Sequence, residues 1–362
     1  VTGVDVVVLG AGPIGLGIAW QCALRGCSVT VHHDGSLGAW HASAGMIAPV
    51  AEATFGESPL TALLVESTRR WPEFAAALGR EIGYRECGSL MVGLTGDDHA
   101  EIQRSASYQE SLGLPVERLS GAGLRSREPM LAPRVRGGAF AGIDAQADPG
   151  LLHSALLAAC RAAGVRFQDT GAQRLAEVID RRPAVVVVAA GTGTAALLDL
   201  PIHPVRGETL RIRLTEEPLR HMLRYMVRGI VDGRHVYLVP RAGGEIVIGA
   251  TSSEETLTQP TAGGVHTLLR DAFMLLPELE RAAFEGVRVG FRPGTPSNAP
   301  YLGELPPRDG VRIVVAAGHY RNGIALTPIT ATAIAELVTT GRAPAEITAF
   351  GPPSADPRGV AE

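Results

Sequence analysis

The chain has 362 residues, 33 basic and 37 acidic side chains, a net charge of −4 and an apolar share of 46%. At about 150 residues per domain, this predicts two domains or one elaborated one, with ample apolar side chains for a core. The balanced charge argues against nucleic acid or an anionic membrane as partner, no apolar run reaches the roughly 18 residues of a membrane span, and the first residues lack the basic region of a signal peptide.

Lysine is absent, so all 33 basic side chains are arginine. Mechanisms that need a P-loop or Schiff-base lysine are thereby excluded, and any bound anion must be held by guanidinium or backbone N–H groups. Cys22, Cys27, Cys87 and Cys160 have neither zinc nor redox spacing. They read as reduced thiols of a cytoplasmic protein.

Residues 4–9 (VDVVVL) form a short, β-branched run that predicts a buried strand. Gly10, Gly12 and Gly15 follow at once, then an apolar helix over 16–25 closed by Gly26, and a second strand over 28–31. Residues 41–49 are small and Gly/Ala-rich, and 60–78 have helical periodicity. The texture changes from Arg85: 88–94 alternate like a strand and 97–112 like a helix. A helix over 151–163 ends at Gly164, and strands follow at 165–168 and 184–190, the latter closing on Gly191. Segments 209–214, 236–239 and 245–249 read as an antiparallel set with a turn at Gly243-Gly244. A helix is expected over 267–276 and a turn over 289–295. A buried strand over 311–317 then leads through Gly318–Gly323 into a helix over 326–338. The fold class expected is α/β. A Rossmann-like domain, its parallel sheet discontinuous in sequence, is joined to an inserted α+β domain with an antiparallel or mixed sheet.

The first glycine motif carries chemistry because of its context. Gly10 permits the tight turn, Gly12 lets backbone approach a pyrophosphate, and Gly15 lets helix and strand pack closely. Pro13 and Ile14 open the helix, whose N–H groups and dipole favour an anion. A ribose partner is expected about 20 residues on. That place falls on His33, with Asp34 one residue later, and both remain candidates.

Further segments complete a set: Ser43-Ala44-Gly45-Met46, Ala189-Ala190-Gly191, 204–208 (PVRGE), 237–241 (YLVPR), 290–294 (GFRPG) and 318–324 (GHYRNGI). In these the chain resembles the D-amino-acid oxidase family of FAD-dependent amine oxidoreductases, over residues 4–350, and within it the glycine-oxidising branch that serves thiamin biosynthesis. The resemblance implies FAD as cofactor and a small amino acid or amine as substrate. It implies hydride transfer from Cα to flavin N5, and molecular oxygen as acceptor, giving a 2-oxo acid, ammonia and hydrogen peroxide. Residues 1–80, 140–203 and 290–350 would form the FAD-binding domain, 81–139 and 204–289 the substrate-binding domain, and 351–362 a loose tail. Arg292 matches the family's carboxylate clamp, whose bidentate fork suits the task. Tyr237 matches the hydroxyl supporting it, and Arg321 a second polar group near substrate and flavin. His235 would lie nearby, and Met46 would wall the pocket.

Cofactor contacts implied are Gly10, Gly12, Pro13, Ile14, Gly15, His33 or Asp34, Ser43, Ala44, Gly45, Met46, Ala172, Ala190, Gly191, Arg292, Gly318, His319, Tyr320, Arg321, Asn322, Gly323 and Ile324. The junction at 318–324 would set a helix N-terminus against the N1–C2=O edge of the ring, where reduction places negative charge. No side chain is required as acid or base if the substrate reacts as free amine. Where the glycine-oxidising branch has methionine after Gly-Ala-Thr, this chain has Ser252, which leaves more room. The lysine that sarcosine oxidases use near the flavin has no counterpart here. Two other readings remain: a dehydrogenase passing electrons to a quinone or carrier, and a nucleotide-binding protein without turnover. Self-association is left open.

Overall fold

The computed structural model describes residues 3–169, 175–219 and 222–353. In chain order these form β1 (Asp5–Leu9), α1 (Pro13–Leu24), β2 (Ser28–His33), β3 (Met46–Ile47), α2 (Ser58–Ala77), β4 (Ser89–Gly93), α3 (Gly96–Ser111), β5 (Glu117–Ser120) and α4 (Gly121–Arg127). Then come β6 (Gly137–Ala141), β7 (Ala145–Gln146), α5 (Pro149–Ala162), β8 (Arg166–Asp169), α6 (Leu175–Ile179), β9 (Val185–Val188), α7 (Thr194–Leu197) and β10 (His203–Arg213). The last are β11 (Met226–Val231), β12 (Arg234–Pro240), β13 (Glu245–Gly249), α8 (Ala262–Leu275), β14 (Ala283–Gly294), β15 (Tyr301–Arg308), β16 (Val311–Ala317) and α9 (Thr327–Thr340). They gather into two compact units: one holds residues up to Gly38, Leu156–Pro204 and the segment from Arg292, the other Ala39–Ala155 and Val205–Phe291.

The first unit is built on a six-stranded sheet of order β15-β16-β9-β1-β2-β8. All neighbours are parallel except the edge strand β15. Strands such as Val185–Val188 are apolar throughout because helices cover both faces of such a sheet. The chain leaves β1 for β2 on one side and later enters β9 on the other. The carboxyl ends of β1 and β9 are therefore a switch point, the place where open α/β sheets take ligands. The strands expected at 4–9, 28–31, 184–190 and 311–317 are those that pair here, so the expected fold class holds.

The second unit carries an eight-stranded sheet, β14-β10-β13-β12-β11-β4-β6-β5. It is mixed rather than purely antiparallel, because β11 and β4 pair in parallel. On β10, Leu210 and Ile212, with Leu214 just beyond the strand, point into the main core with Leu238, Ile248, Leu268 and Leu275, while Thr209 and Arg211 take the opposite face. The segment after Ala39 is bound to this unit by its own chemistry. Val50 is buried with Met91, Ile102 and Ala139. The Asp144 carboxylate accepts the N–H groups of Val50 (3.2 Å) and Ala51 (3.4 Å), and the Gln109 side chain donates to the Val50 carbonyl at 2.9 Å. Residues 39–80 thus cluster with the second unit, whereas the resemblance implies 1–80 as part of the FAD-binding domain.

One expectation is corrected. Residues 289–295 were expected as a turn, but most of them form the end of β14 beside β10. Gly290 is there for packing: a Cβ would stand 2.7 Å from that of Ala42. Among the described residues, no helix is long and apolar enough to cross a membrane.

Candidate active site

The first unit shows a cradle at the switch point. Gly10 has φ +116°, open to glycine at little cost, and a Cβ on it would overlap the Ala189 carbonyl and reach 3.0 Å from Ala190 Cα. A Cβ on Gly15 would overlap the Gly10 carbonyl, so α1 begins in backbone contact with the turn. Gly12 is the N-cap of α1 with no side-chain cap, and Pro13 opens the first turn. A helix N-terminus lacking its own cap leaves donors and a positive dipole end for an anion. These residues fit the pyrophosphate of a dinucleotide cofactor. His33 ends β2, its ring 6.4 Å from that of Phe167. The Asp34 carboxylate already accepts the Ser36 N–H (2.9 Å) and hydroxyl (2.6 Å), which hold it below the usual carboxylate range.

At the end of β16 the chain turns through Gly318 (φ +77°), where a Cβ would stand 2.5 Å from Thr295 Cγ2. The Tyr320 N–H donates to the Pro293 carbonyl at 3.0 Å, laying this junction against the residue that follows Arg292. His319 is buried with its Nε2 3.1 Å from Thr330 Oγ1, and burial pushes its imidazole down to about 3, so the ring is neutral. Arg321 lies over the Tyr320 ring at 4.9 Å and is exposed. Asn322 is buried, while the N–H groups of Gly323 and Ile324 have no acceptor among the described residues. Ala190 and Gly191 follow β9, and Arg292 is half-buried on β14. Ala172 lies outside the described residues.

The second unit holds the other candidates. Met46 and Tyr237 pack together against Ala44, Met226, Val239 and Val247. Tyr237 stands opposite Arg228 on β11 and Gly249 on β13. Its ring lies over Gly249, where a Cβ would come within 2.6 Å of Cε2. Ser43 shapes the segment by accepting the Gly45 N–H at 3.0 Å. Gly45 (φ +69°) has no room for a Cβ beside the Ala147 carbonyl. His235 is on the same strand face as Tyr237 but turns outward, with 70% of its side chain exposed, and faces Glu101 at 3.3 Å. Ser252 is exposed. The structure therefore gathers Ser43–Met46 with Tyr237 and leaves His235 and Ser252 apart from them.

The roles of several polar residues here escape sequence reasoning, although Arg206, Glu208 and Arg241 lie within motifs it singles out. Arg228 pairs with Glu52, and its guanidinium is 3.8 Å from Met46 Sδ. Arg206 and Glu208 form a buried pair at 2.6 Å that anchors the 251–261 segment. Arg241 is buried against the Ala44 carbonyl and Gln146, and burial pushes it down to about 10. The usable signal was arginine at core-strand spacing in 209–214 and at the end of 237–241.

One unit with a dinucleotide cradle on a doubly wound sheet, and another with a mixed sheet carrying arginines and a half-buried tyrosine, define a nucleotide-dependent enzyme. A sequence profile described as FAD dependent oxidoreductase matches residues 5–337. The chain belongs to this FAD-dependent oxidoreductase family. It is 34% identical to the bifunctional protein ThiO/ThiG of Trichormus variabilis, over 92% of this chain and 52% of that protein. It is 33% identical to the glycine oxidase of Geobacillus kaustophilus, over 92% of each chain. The chain thus spans about half the length of the bifunctional relatives it matches. A crystal structure of the Geobacillus glycine oxidase superposes with a TM-score of 0.87 at 31% identity, covering 97% of this chain and 98% of that one. Glycine oxidase from Bacillus cereus superposes with a TM-score of 0.85 at 26% identity, over 99% and 100% of the two chains.

Proposed function

We propose that this protein oxidatively deaminates glycine or another small amino acid or amine with FAD. Amino acid, oxygen and water give a 2-oxo acid, ammonia and hydrogen peroxide, and the reaction takes place in the cytoplasm. The observation that carries the reading is the near full-length identity to the Geobacillus glycine oxidase, matched by the superposition of the two folds.

Bound FAD would supply the two-electron acceptor. In this reading the first unit holds it, with α1 and the Gly10–Gly15 turn toward the pyrophosphate and His33 or Asp34 toward the ribose. The Gly323 and Ile324 N–H groups would serve the electron-rich edge of the ring. Substrate would be bound by the residues that match the family's clamp and its support. Arg292 would grip the carboxylate as a bidentate fork, the Tyr237 hydroxyl would support it, and Met46 would form an apolar wall. Arg228 and Glu52 neutralise each other beside that wall, so they bring no net charge to an amine that must be unprotonated to react. Catalysis then consists mainly of orientation.

The test is product analysis with glycine, sarcosine and small D-amino acids. Peroxide and the matching 2-oxo acid in equal amounts support the reading. Turnover only with an artificial or quinone acceptor would replace oxygen as the partner, and none with any donor would refute the function.

A further inference from the structure

The 41–46 segment is laid across the second unit's large sheet, and the sheet reaches up to hold it. Four successive carbonyls are each met by one side chain. Arg288 Nη1 donates to the His41 carbonyl at 3.1 Å and the Thr209 hydroxyl to that of Ala42 at 2.9 Å. Arg211 Nη2 donates to that of Ser43 at 3.5 Å, and Arg241 Nη2 to that of Ala44. The donors come from β14, then β10, then the residue just after β12, so the order of carbonyls follows the order of strands across the sheet. Ala44 is 3% exposed against Met226, Val239 and Val247. Its methyl is thus fixed by packing while its carbonyl is fixed by a cation.

Three arginines under one backbone segment are costly. Burial and the Arg288 charge pull Arg211 below its usual range, and burial does the same to Arg241. Glu245 lies 3.7 Å from Arg211 and Asp148 3.8 Å from Arg241, too far for direct hydrogen bonds. Ordinary loops need no such device, since solvent satisfies their carbonyls. We propose that Arg241, with Thr209, Arg211 and Arg288, is a positioning residue: the four fix the shape in which the 41–46 segment presents Gly45 and Met46 to bound cofactor and substrate. The inference rests on the functional reading above, in which that segment faces the ligands. None of the four need touch the ligand.

The test combines amide hydrogen exchange, the visible spectrum of bound FAD and steady-state kinetics with glycine, on holoenzyme carrying Arg241→Gln or Arg241→Lys. If the bound-state shape of the segment falls to a tenth of its population, apparent affinity falls by about tenfold while the chemical step is spared. Arg241→Gln is expected to raise exchange at Gly45–Ile47 and KM each by about tenfold, to shift the flavin bands, and to leave kcat within about threefold. Arg241→Lys should recover part of each change. A folded Arg241→Gln protein with native exchange in the segment overturns the proposal. So does a loosened segment with native spectrum and KM. Should Arg241→Gln fail to fold, Thr209→Val carries the same test at one tether, and native exchange and KM there overturn the proposal. A wild-type protein that takes up no FAD refutes the functional reading instead, and the exchange comparison still decides whether the arginine holds the segment.

Discussion

Replacing Glu208 with alanine removes half of a buried ion pair, and the structure fixes what is left behind. Arg206 and Glu208 are 2% and 0% exposed, with Nη2 and Oε1 2.6 Å apart. Arg206 keeps its Nε bond to the Leu257 carbonyl at 2.6 Å and its Nη2 bond to the Gln259 carbonyl at 2.5 Å, but Nη2 loses the carboxylate it pairs with. The Thr261 N–H, which donates to Glu208 at 2.6 Å, loses its acceptor. Removing one partner of a buried ion pair costs about 3–5 kcal/mol, and the orphaned N–H adds to the same rearrangement rather than on top of it. We therefore expect Glu208→Ala to lose about 3–5 kcal/mol, a large part of a typical domain's stability. The double variant Arg206→Met/Glu208→Leu should recover most of it, because burying a pair gains little over apolar groups of similar volume. The assay is urea unfolding followed by far-UV circular dichroism, with midpoints compared at equal slope. A single variant within about 1 kcal/mol of the native protein, or a double variant worse than the single, would refute the reasoning.

Other outcomes follow from the same geometry. Gly15→Ala drives a Cβ into the Gly10 carbonyl and should abolish FAD uptake, measured by the absorbance of refolded holoprotein. Arg292→Ala should retain flavin but lose about 2–5 kcal/mol of binding for carboxylate substrates, read from kcat/KM; normal oxidation of glycine would dismiss the clamp. His319 is neutral in the fold down to about 3, whereas the unfolded chain takes up a proton below about 6.5. Its contribution is present above that value and lost as pH falls from about 6.5 toward 3, at up to about 1.4 kcal/mol per unit. Asp144 runs the other way. Burial pushes it up to about 7, so its contribution is present below about 4 and lost as pH rises toward 7. Relative to native protein, His319→Gln should gain stability on acidification and Asp144→Asn on alkalinisation, in thermal midpoints taken between about pH 4 and pH 7. Parallel trends would dismiss both assignments.

The legibility of this protein in its sequence is uneven for physical reasons. The first βαβ unit is plain because strand, turn and helix each have local signatures, and a glycine that must face a carbonyl cannot be anything else. Four of the five parallel strands are visible as short apolar runs, but the strand order is set by long-range pairing and is not. Arg211 and Arg241 look like ordinary strand arginines in 209–214 and 237–241. Only the sheet's arrangement shows that they meet the carbonyls of residues more than 160 positions earlier. Residues 39–80 carry no local mark of the unit they join; that is decided by Asp144 and Gln109, far along the chain. His235 was placed near Tyr237 by spacing alone, and a solvent-facing partner, Glu101, draws it outward.

The central claim is that this protein binds FAD and passes electrons to it from a small amino acid. The most direct measurement is the visible absorption spectrum of the purified protein, followed by anaerobic addition of glycine. We predict a yellow protein whose flavin bands bleach with glycine and return when oxygen is admitted. A colourless protein that takes up no FAD, or a yellow one left unchanged by glycine, sarcosine and small D-amino acids alike, would contradict the account.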